Sequence, residues 1–249
     1  MVAAASKGIG LAIARELALE GCRVSLCGRT EETLEAATNQ IEGEVRSYVV
    51  DVSDSDDLEW WVEQTRTDLG PPEILVTNTG GPPAGSIDSM TDEQWQTGFD
   101  GTLMNIIRLS RLVAPGMQAM GWGRIVHITS LVAKQPSLVL PISSTLRAGI
   151  MGLTRVQATE LAKFGITVNS VLPGHTRTDR QRHLAEIRAQ KEGISVQTAL
   201  EMQGMDTPVG RLADPAEIAA AVAFLCSARA SYVTGVNLLV DGGVTSGLG

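Results

Sequence analysis

The sequence predicts an α/β fold built on a parallel sheet, and three observations carry that expectation. Short apolar runs alternate with longer helix-patterned segments, the order that repeated strand-helix units produce. The helical segments have legible starts and stops. No repeat, low-complexity tract or linker divides the 249 residues, and with 43% hydrophobic content they can bury one substantial core, so a single domain over 1–249 is expected.

The expected strands are 23–27, 45–50, 74–78, 124–129, 167–172 and 236–240. Ile9, Ile13 and Leu17 recur at i, i+4 and i+8 on the first helix, and Gly21 follows as its stop. Asp214-Pro215-Ala216-Glu217 reads as an N-cap, a first-turn proline and a capping-box glutamate, and Thr91 with Gln94 suggests a second capping box.

Charge and cysteine usage bound the function. A net charge of -8 argues against nucleic acid or an anionic membrane as the main partner, while leaving room for an anionic substrate in a local basic pocket. Cys22, Cys27 and Cys226 form no CxxC pair and leave an odd thiol, which points to a reducing compartment, the cytoplasm. No apolar run reaches the roughly 18 residues of a spanning helix and the N-terminus lacks a signal-peptide layout, so a soluble protein is expected. The histidines and cysteines do not cluster as metal ligands would. His127 should point away from the face of Ser130 and serve as a hydrogen-bonded core or surface histidine, and His183 should be solvated.

The segments GRIVHITS, AGIMGLTRVQATELAKFGITVNSVLPG, DPAEIAAAVAFL and TGVNLLVDGG together resemble the short-chain dehydrogenase/reductase family over essentially the whole chain, most closely its 3-oxoacyl-carrier-protein-reductase-like members. The resemblance implies a Rossmann-type, doubly wound parallel sheet of seven strands with helices on both faces. It also implies a homotetramer formed through the two long central helices and the C-terminal strand, and a small-molecule carbonyl or alcohol substrate. The chain begins Met1-Val2-Ala3 where the first strand of such a fold finishes, so most of that central strand is expected to be absent, as from a truncated start.

Ala3-Ala4-Ala5-Ser6-Lys7-Gly8-Ile9-Gly10 occupies the turn that in the family reads TGxxxGxG, with Ala4 in place of the first glycine. Glycines there let the backbone approach a pyrophosphate whose charge the following helix favours, and Ser6, Lys7, Gly8, Ile9 and Gly10 are the candidate contacts. A tight helix-sheet turn without a ligand would look similar. The second strand ends Cys27-Gly28-Arg29 with no acid before Glu31. Arg29 suits a 2′-phosphate and Lys7 could add a second cation, so NADP(H) is expected over NAD(H); the alternative is a solvated strand-end charge. Asp51 and Val52 stand where relatives contact adenine, Asp51 being equally suited to cap a helix. Asn78 and Gly80 are the two matches to the family's NNAG turn, and Thr176 and Thr178 are the expected nicotinamide-side contacts, with His175 near the chemistry.

The resemblance assigns catalysis to a serine, Ser130, to a Tyr-x-x-x-Lys beginning thirteen residues later, and to an asparagine on an earlier helix. Here Ser143 and Arg147 stand at the Tyr and Lys positions and Thr102 at the asparagine position, with Asn105 one turn away. A serine is a far poorer acid than a lysine-assisted phenol, and arginine does not relay protons. A weakened reductase mechanism would have Ser130 hydrogen-bond the carbonyl, Arg147 stabilise the alkoxide, and water or His175 supply the proton. Alternatively Ser143 caps a helix and Arg147 holds a cofactor ribose or phosphate. A nucleotide-binding pseudoenzyme and a non-redox enzyme on the same fold are the rival functions. The segment 179–211, with Leu184, Ile187, Leu200, Met202 and Met205, is expected to cover the substrate.

Overall fold

The computed structural model describes residues 1–247. All six expected strand segments form within one or two residues of their expected bounds: β1 Val24–Gly28, β2 Val45–Val49, β3 Ile74–Thr77, β4 Gly123–Ile128, β5 Ile166–Pro173 and β6 Asn237–Val240. All pair in parallel, β1 with β2 and then β3-β4-β5-β6 in order. β1, β4 and β5 are buried at every residue, which is why they read as continuous runs rather than as alternation.

Val2 joins the two halves, bridging in parallel to Leu26 and to Val76. Val2 N donates to Ser25 O at 2.8 Å, Ala3 N to Val76 O at 3.0 Å and Ala5 N to Cys27 O at 2.8 Å. Among the described residues the sheet therefore has six strands, and a single-residue bridge stands in place of the expected seventh.

Among the described residues nine α-helices surround it: α1 Gly8–Leu19, α2 Glu31–Thr38, α3 Ser55–Leu69, α4 Asp92–Phe99, α5 Asn105–Met120, α6 Pro141–Leu161, α7 Asp179–Glu192, α8 Val196–Met205 and α9 Pro215–Cys226. Successive strand residues face opposite sides, so Val126 packs with Ile13, Leu17, Ile218 and Val222 of α1 and α9, while Ile125 packs with Trp61, Leu109, Met117 and Leu161 of α3, α5 and α6. Those two apolar layers make the sheet doubly wound. The ends read from sequence are present: Thr91 and Gln94 close a capping box on α4, Asp214 and Glu217 another on α9 with Pro215 in its first turn, and Gly21 turns the chain after α1 at φ +85°.

Two local features bear on the site. Ala4 has φ +46°, the left-handed region that glycine tolerates and alanine resists. Between α4 and α5 the chain makes a π-helical turn over Asp100–Met104, an insertion into the helical ladder that recurs at functional sites.

Candidate functional site

The phosphate turn is built by close approach. A Cβ on Gly10 would lie 2.5 Å from Ala4 O, 2.8 Å from Ala5 Cα and 2.9 Å from Asn78 Nδ2, so only glycine lets α1 sit this near the sheet. Asn78 Nδ2 donates to Ala4 O at 3.1 Å, pinning the turn from the end of β3. Gly8 takes φ +59°. Lys7 is the N-cap of α1, and among the described residues no side chain caps the helix start. Its own side chain pairs with Asp179 at 3.0 Å, both groups exposed, which ties the turn to the start of α7. Ser6 sits beside Gly28, where a Cβ would lie 3.1 Å from its Cβ.

Arg29 is exposed at the end of β1. Asp51 Oδ1 accepts from Ser53 N at 2.9 Å and Ser53 Oγ at 2.7 Å, bonds that hold its carboxyl below the usual range, with a smaller contribution from Arg29. Asp51 does not cap a helix: Asp54 caps α3, accepting from Asp56 N and Asp57 N. Val52 packs partly buried against the α3 side of the core. Gly80 has open space where a Cβ would stand.

Ser130 follows β4, accepting from Val132 N at 3.3 Å. Ser143 and Arg147 share one face of α6, as the i, i+4 spacing requires, and both are buried. Arg147 Nε donates to Ser143 Oγ at 3.2 Å, and Nη1 donates to Ile128 O at 3.0 Å and Thr129 O at 2.7 Å. The guanidinium is thereby fixed at the carboxyl end of β4, on the carbonyl of the residue before Ser130, the end of the strands at which ligands bind in open α/β sheets. Burial, with the charge of Arg180 adding to it, brings its pKa down to about 10. The helix-cap alternative for Ser143 is corrected: α6 starts at Pro141 with Leu140 as N-cap, and the Ser143 hydroxyl belongs to Arg147 instead.

Thr102 lies buried in the π-helical turn. Asn105 is fully buried, its Nδ2 donating to Gly101 O at 2.9 Å, while its Oδ1 has no protein partner among the described residues. Thr176 Oγ1 donates to Gly174 O at 3.1 Å, and Thr178 caps α7 by accepting from Gln181 N at 3.2 Å. A Cβ on Gly8 would lie 3.3 Å from Thr178 Cγ2, so Thr178 closes over the phosphate turn.

His175 does not join Ser143 and Arg147. Its Nδ1 accepts from Gln181 Nε2 at 3.3 Å, its charged neighbours are Asp206 and Arg188, and burial lowers its pKa. His127 is a core histidine, flanked by Thr77 Oγ1 and Gln157 Oε1, each at 2.9 Å, and burial brings its pKa down to about 4. His183 is exposed beside Glu186. Among the described residues no three His, Cys, Asp or Glu side chains gather as a metal site needs.

α7 and α8 pack on each other through Ala185, Ala189 and Ala199. A cavity of about 620 Å³ opens beside them, lined by Leu200, Met205, Thr178 and Arg211 among others and by none of Ser130, Ser143 and Arg147. Met202 and Ile187 are exposed. Sequence reasoning missed Arg180, whose Nη2 donates to Pro82 O at 2.7 Å and whose guanidinium comes up beside Arg147. Its place in the first turn of α7, two residues after Thr178, was the available signal.

This parallel sheet with helices on both faces and a glycine turn at one strand end is a Rossmann-like α/β scaffold. The family described as Enoyl-(Acyl carrier protein) reductase matches residues 3–245, and the chain belongs to the short-chain dehydrogenase/reductase family as a 3-oxoacyl-[acyl-carrier-protein]-reductase-like member. It is 35% identical over 244 residues to the 3-oxoacyl-[acyl-carrier-protein] reductase FabG of Escherichia coli, covering 98% of this chain and 96% of the relative. L-sorbose reductase from Gluconobacter frateurii, solved with NADPH and L-sorbose, superposes with a TM-score of 0.93 at 34% identity, over 99% of this chain and 96% of that one. Actinorhodin polyketide ketoreductase, solved with NADPH as a tryptophan-substituted variant, gives 0.94 at 34% identity with the same coverage.

Proposed function

We propose that the chain is an NADP(H)-dependent oxidoreductase that reduces a 3-oxoacyl-like carbonyl at a site lacking the family's Tyr and Lys. The observation that supports the reading is the Ser143–Arg147 hydrogen bond, with Arg147 anchored on the carbonyl of Thr129, the residue before Ser130. Full-length similarity to reductases solved with NADPH supports the cofactor. The residues fit that group: Gly8 and Gly10 with the uncapped start of α1 would receive the pyrophosphate, Arg29 the 2′-phosphate, Asp51 and Val52 the adenine, and Asn78, Gly80, Thr176 and Thr178 the nicotinamide end.

When bound, the reduced nicotinamide supplies hydride. The protein's part is positional and electrostatic. Ser130 donates to the carbonyl oxygen, and Ser143, whose Oγ accepts from Arg147 Nε, has its O–H left to donate to the same oxygen. The adjacent guanidinium stabilises the developing alkoxide and makes Ser143 a better donor than an isolated serine, and water restores the proton. Thr102 and Asn105 line the helix that borders this position, and the 179–211 segment covers the substrate. Three free cysteines, an odd number without a CxxC pair, support a reducing, cytoplasmic setting. The half-buried edge strand β6, apolar at Leu238 and Leu239, supports a homotetramer built through the C-terminal strand, which light scattering tests directly.

NADPH oxidation followed at 340 nm across a panel of carbonyls tests the reading. Turnover that falls in Ser130→Ala is expected. The second reading, a nucleotide-binding pseudoenzyme, is favoured by one observation: the side chain that Ser143 pairs with is a guanidinium, which cannot take its proton. Cofactor binding without turnover, unchanged in Ser130→Ala, would select it.

A further inference from the structure

We propose that Arg147 and Arg180 together form an oxyanion site, and that its occupant is the carboxylate of an oxo-acid substrate; the choice of substrate rests on the reductase reading above. Arg147 is 6% exposed, and its Nε and Nη1 are engaged with Ser143, Ile128 and Thr129. Its Nη2 has no protein partner among the described residues. That nitrogen lies 3.9 Å from the point a Cβ on Gly81 would occupy, and Arg180 Nε and Nη2 lie 3.7 and 3.8 Å from the same point. Gly81 itself, at φ +79°, leaves this space open. Arg180 uses Nη2 on Pro82 O, and among the described residues its Nε and Nη1 have no protein partner.

Two guanidiniums thus converge on one small volume, and among the described residues neither makes a salt bridge to a carboxylate. A buried cation without a counterion is costly, and a second cation beside it raises that cost. An oxyanion between them would receive charge-assisted hydrogen bonds from both. In a chain of net charge -8, this concentration of unpaired positive charge is local to the site.

The position selects the ligand. Arg147 presents Nε to Ser143 and Nη2 to Arg180, so the group that meets Ser143 and the group that meets Nη2 are separated by the width of one guanidinium. A carbonyl at Ser143 and a carboxylate at the arginine pair therefore belong to one short molecule, a few bonds apart. That describes a free 3-oxo or 2-oxo acid. A thioester or ester of the same acid lacks the negative charge.

Calorimetric titration with acetoacetate and with methyl acetoacetate, each with and without saturating NADPH, tests this. The acid is expected to bind about tenfold more tightly than the ester, as one charge-assisted contact provides. NADPH should not displace it, and Arg180→Gln should reduce the preference to about twofold while NADPH affinity holds. Arg180 is half-exposed, and circular dichroism with Arg180→Lys, which keeps the charge and should keep most of the preference, separates loss of the site from loss of fold. Equal affinity for acid and ester would overturn the proposal. So would displacement of acetoacetate by NADPH with weakened NADPH binding in Arg180→Gln, which would give the arginine pair to a cofactor phosphate. The two readings fail separately: acid preference without NADPH oxidation upholds the anion site against the reductase reading, and NADPH oxidation with acid and ester alike does the reverse.

Discussion

Arg147 holds Ser143 by a 3.2 Å hydrogen bond from one turn further along α6, and is itself held by the carbonyls of Ile128 and Thr129 at the end of β4. One side chain thereby couples the helix, the strand and the candidate oxyanion hydrogen-bond donor. On the proposed reading a hydroxyl and a cation stand where the resemblance puts a phenol and an ammonium, and their acid-base capacity is smaller.

Ser143→Ala removes the O–H while leaving Arg147 its strand carbonyls. Turnover should fall about 10²-fold with little change in KM, the size expected for loss of one hydrogen-bond donor to the developing oxyanion. Steady-state kinetics on any carbonyl found to be reduced checks it, and unchanged kcat would remove Ser143 from the mechanism.

Ala4→Gly should stabilise the protein. The left-handed conformation at φ +46° costs an alanine about 1–2 kcal/mol, of which glycine's added freedom in the unfolded chain returns about 0.5–1. The net gain, roughly 0.5–1 kcal/mol, should raise Tm by about 2 °C. A lower Tm would mean that the turn is not strained at Ala4.

Gly10→Ala should have the opposite effect. Its Cβ would meet backbone at 2.5 and 2.8 Å, which cannot rotate away, so α1 must shift from the sheet at a cost of about 1–3 kcal/mol. Urea denaturation measures the loss, and an unchanged midpoint would contradict the packing described for this turn.

His127 gives a pH dependence. Its pKa is brought from the ordinary 6.5 to about 4 by burial, so the folded protein resists a proton that the unfolded chain accepts. Stability is full above 6.5 and falls as pH drops through the window to about 4, by about 3 kcal/mol in all. Comparing urea midpoints at pH 7 and pH 4.5 for the native chain and His127→Gln should show a shallower slope in the variant. Equal slopes would show that His127 does not titrate with unfolding.

The strands and the two capping boxes were legible because their signals are local: apolar runs of strand length, and Thr91-Gln94 or Asp214-Glu217 at capping spacing. Ser143 and Arg147 were legible as a pair because four residues on a helix make one face. What sequence could not give was pairing across the fold. Nothing in the spacing says that the Ser143 hydroxyl serves Arg147 rather than a helix start, since the N-cap is Leu140, three residues before Ser143. Arg180 is 33 positions from Arg147 and meets it only because the α7 start folds over Gly81. His175 looked close to the chemistry by position, yet its ring turns to Gln181 and the α7–α8 side.

Calorimetric titration of the purified protein with NADPH and NADH tests the central claim most directly, because every redox step requires it and no substrate need be guessed. NADPH should bind at least about tenfold more tightly than NADH, with Arg29→Ala erasing most of the difference, as loss of one charged phosphate contact implies. Folded protein that binds neither dinucleotide would contradict the account.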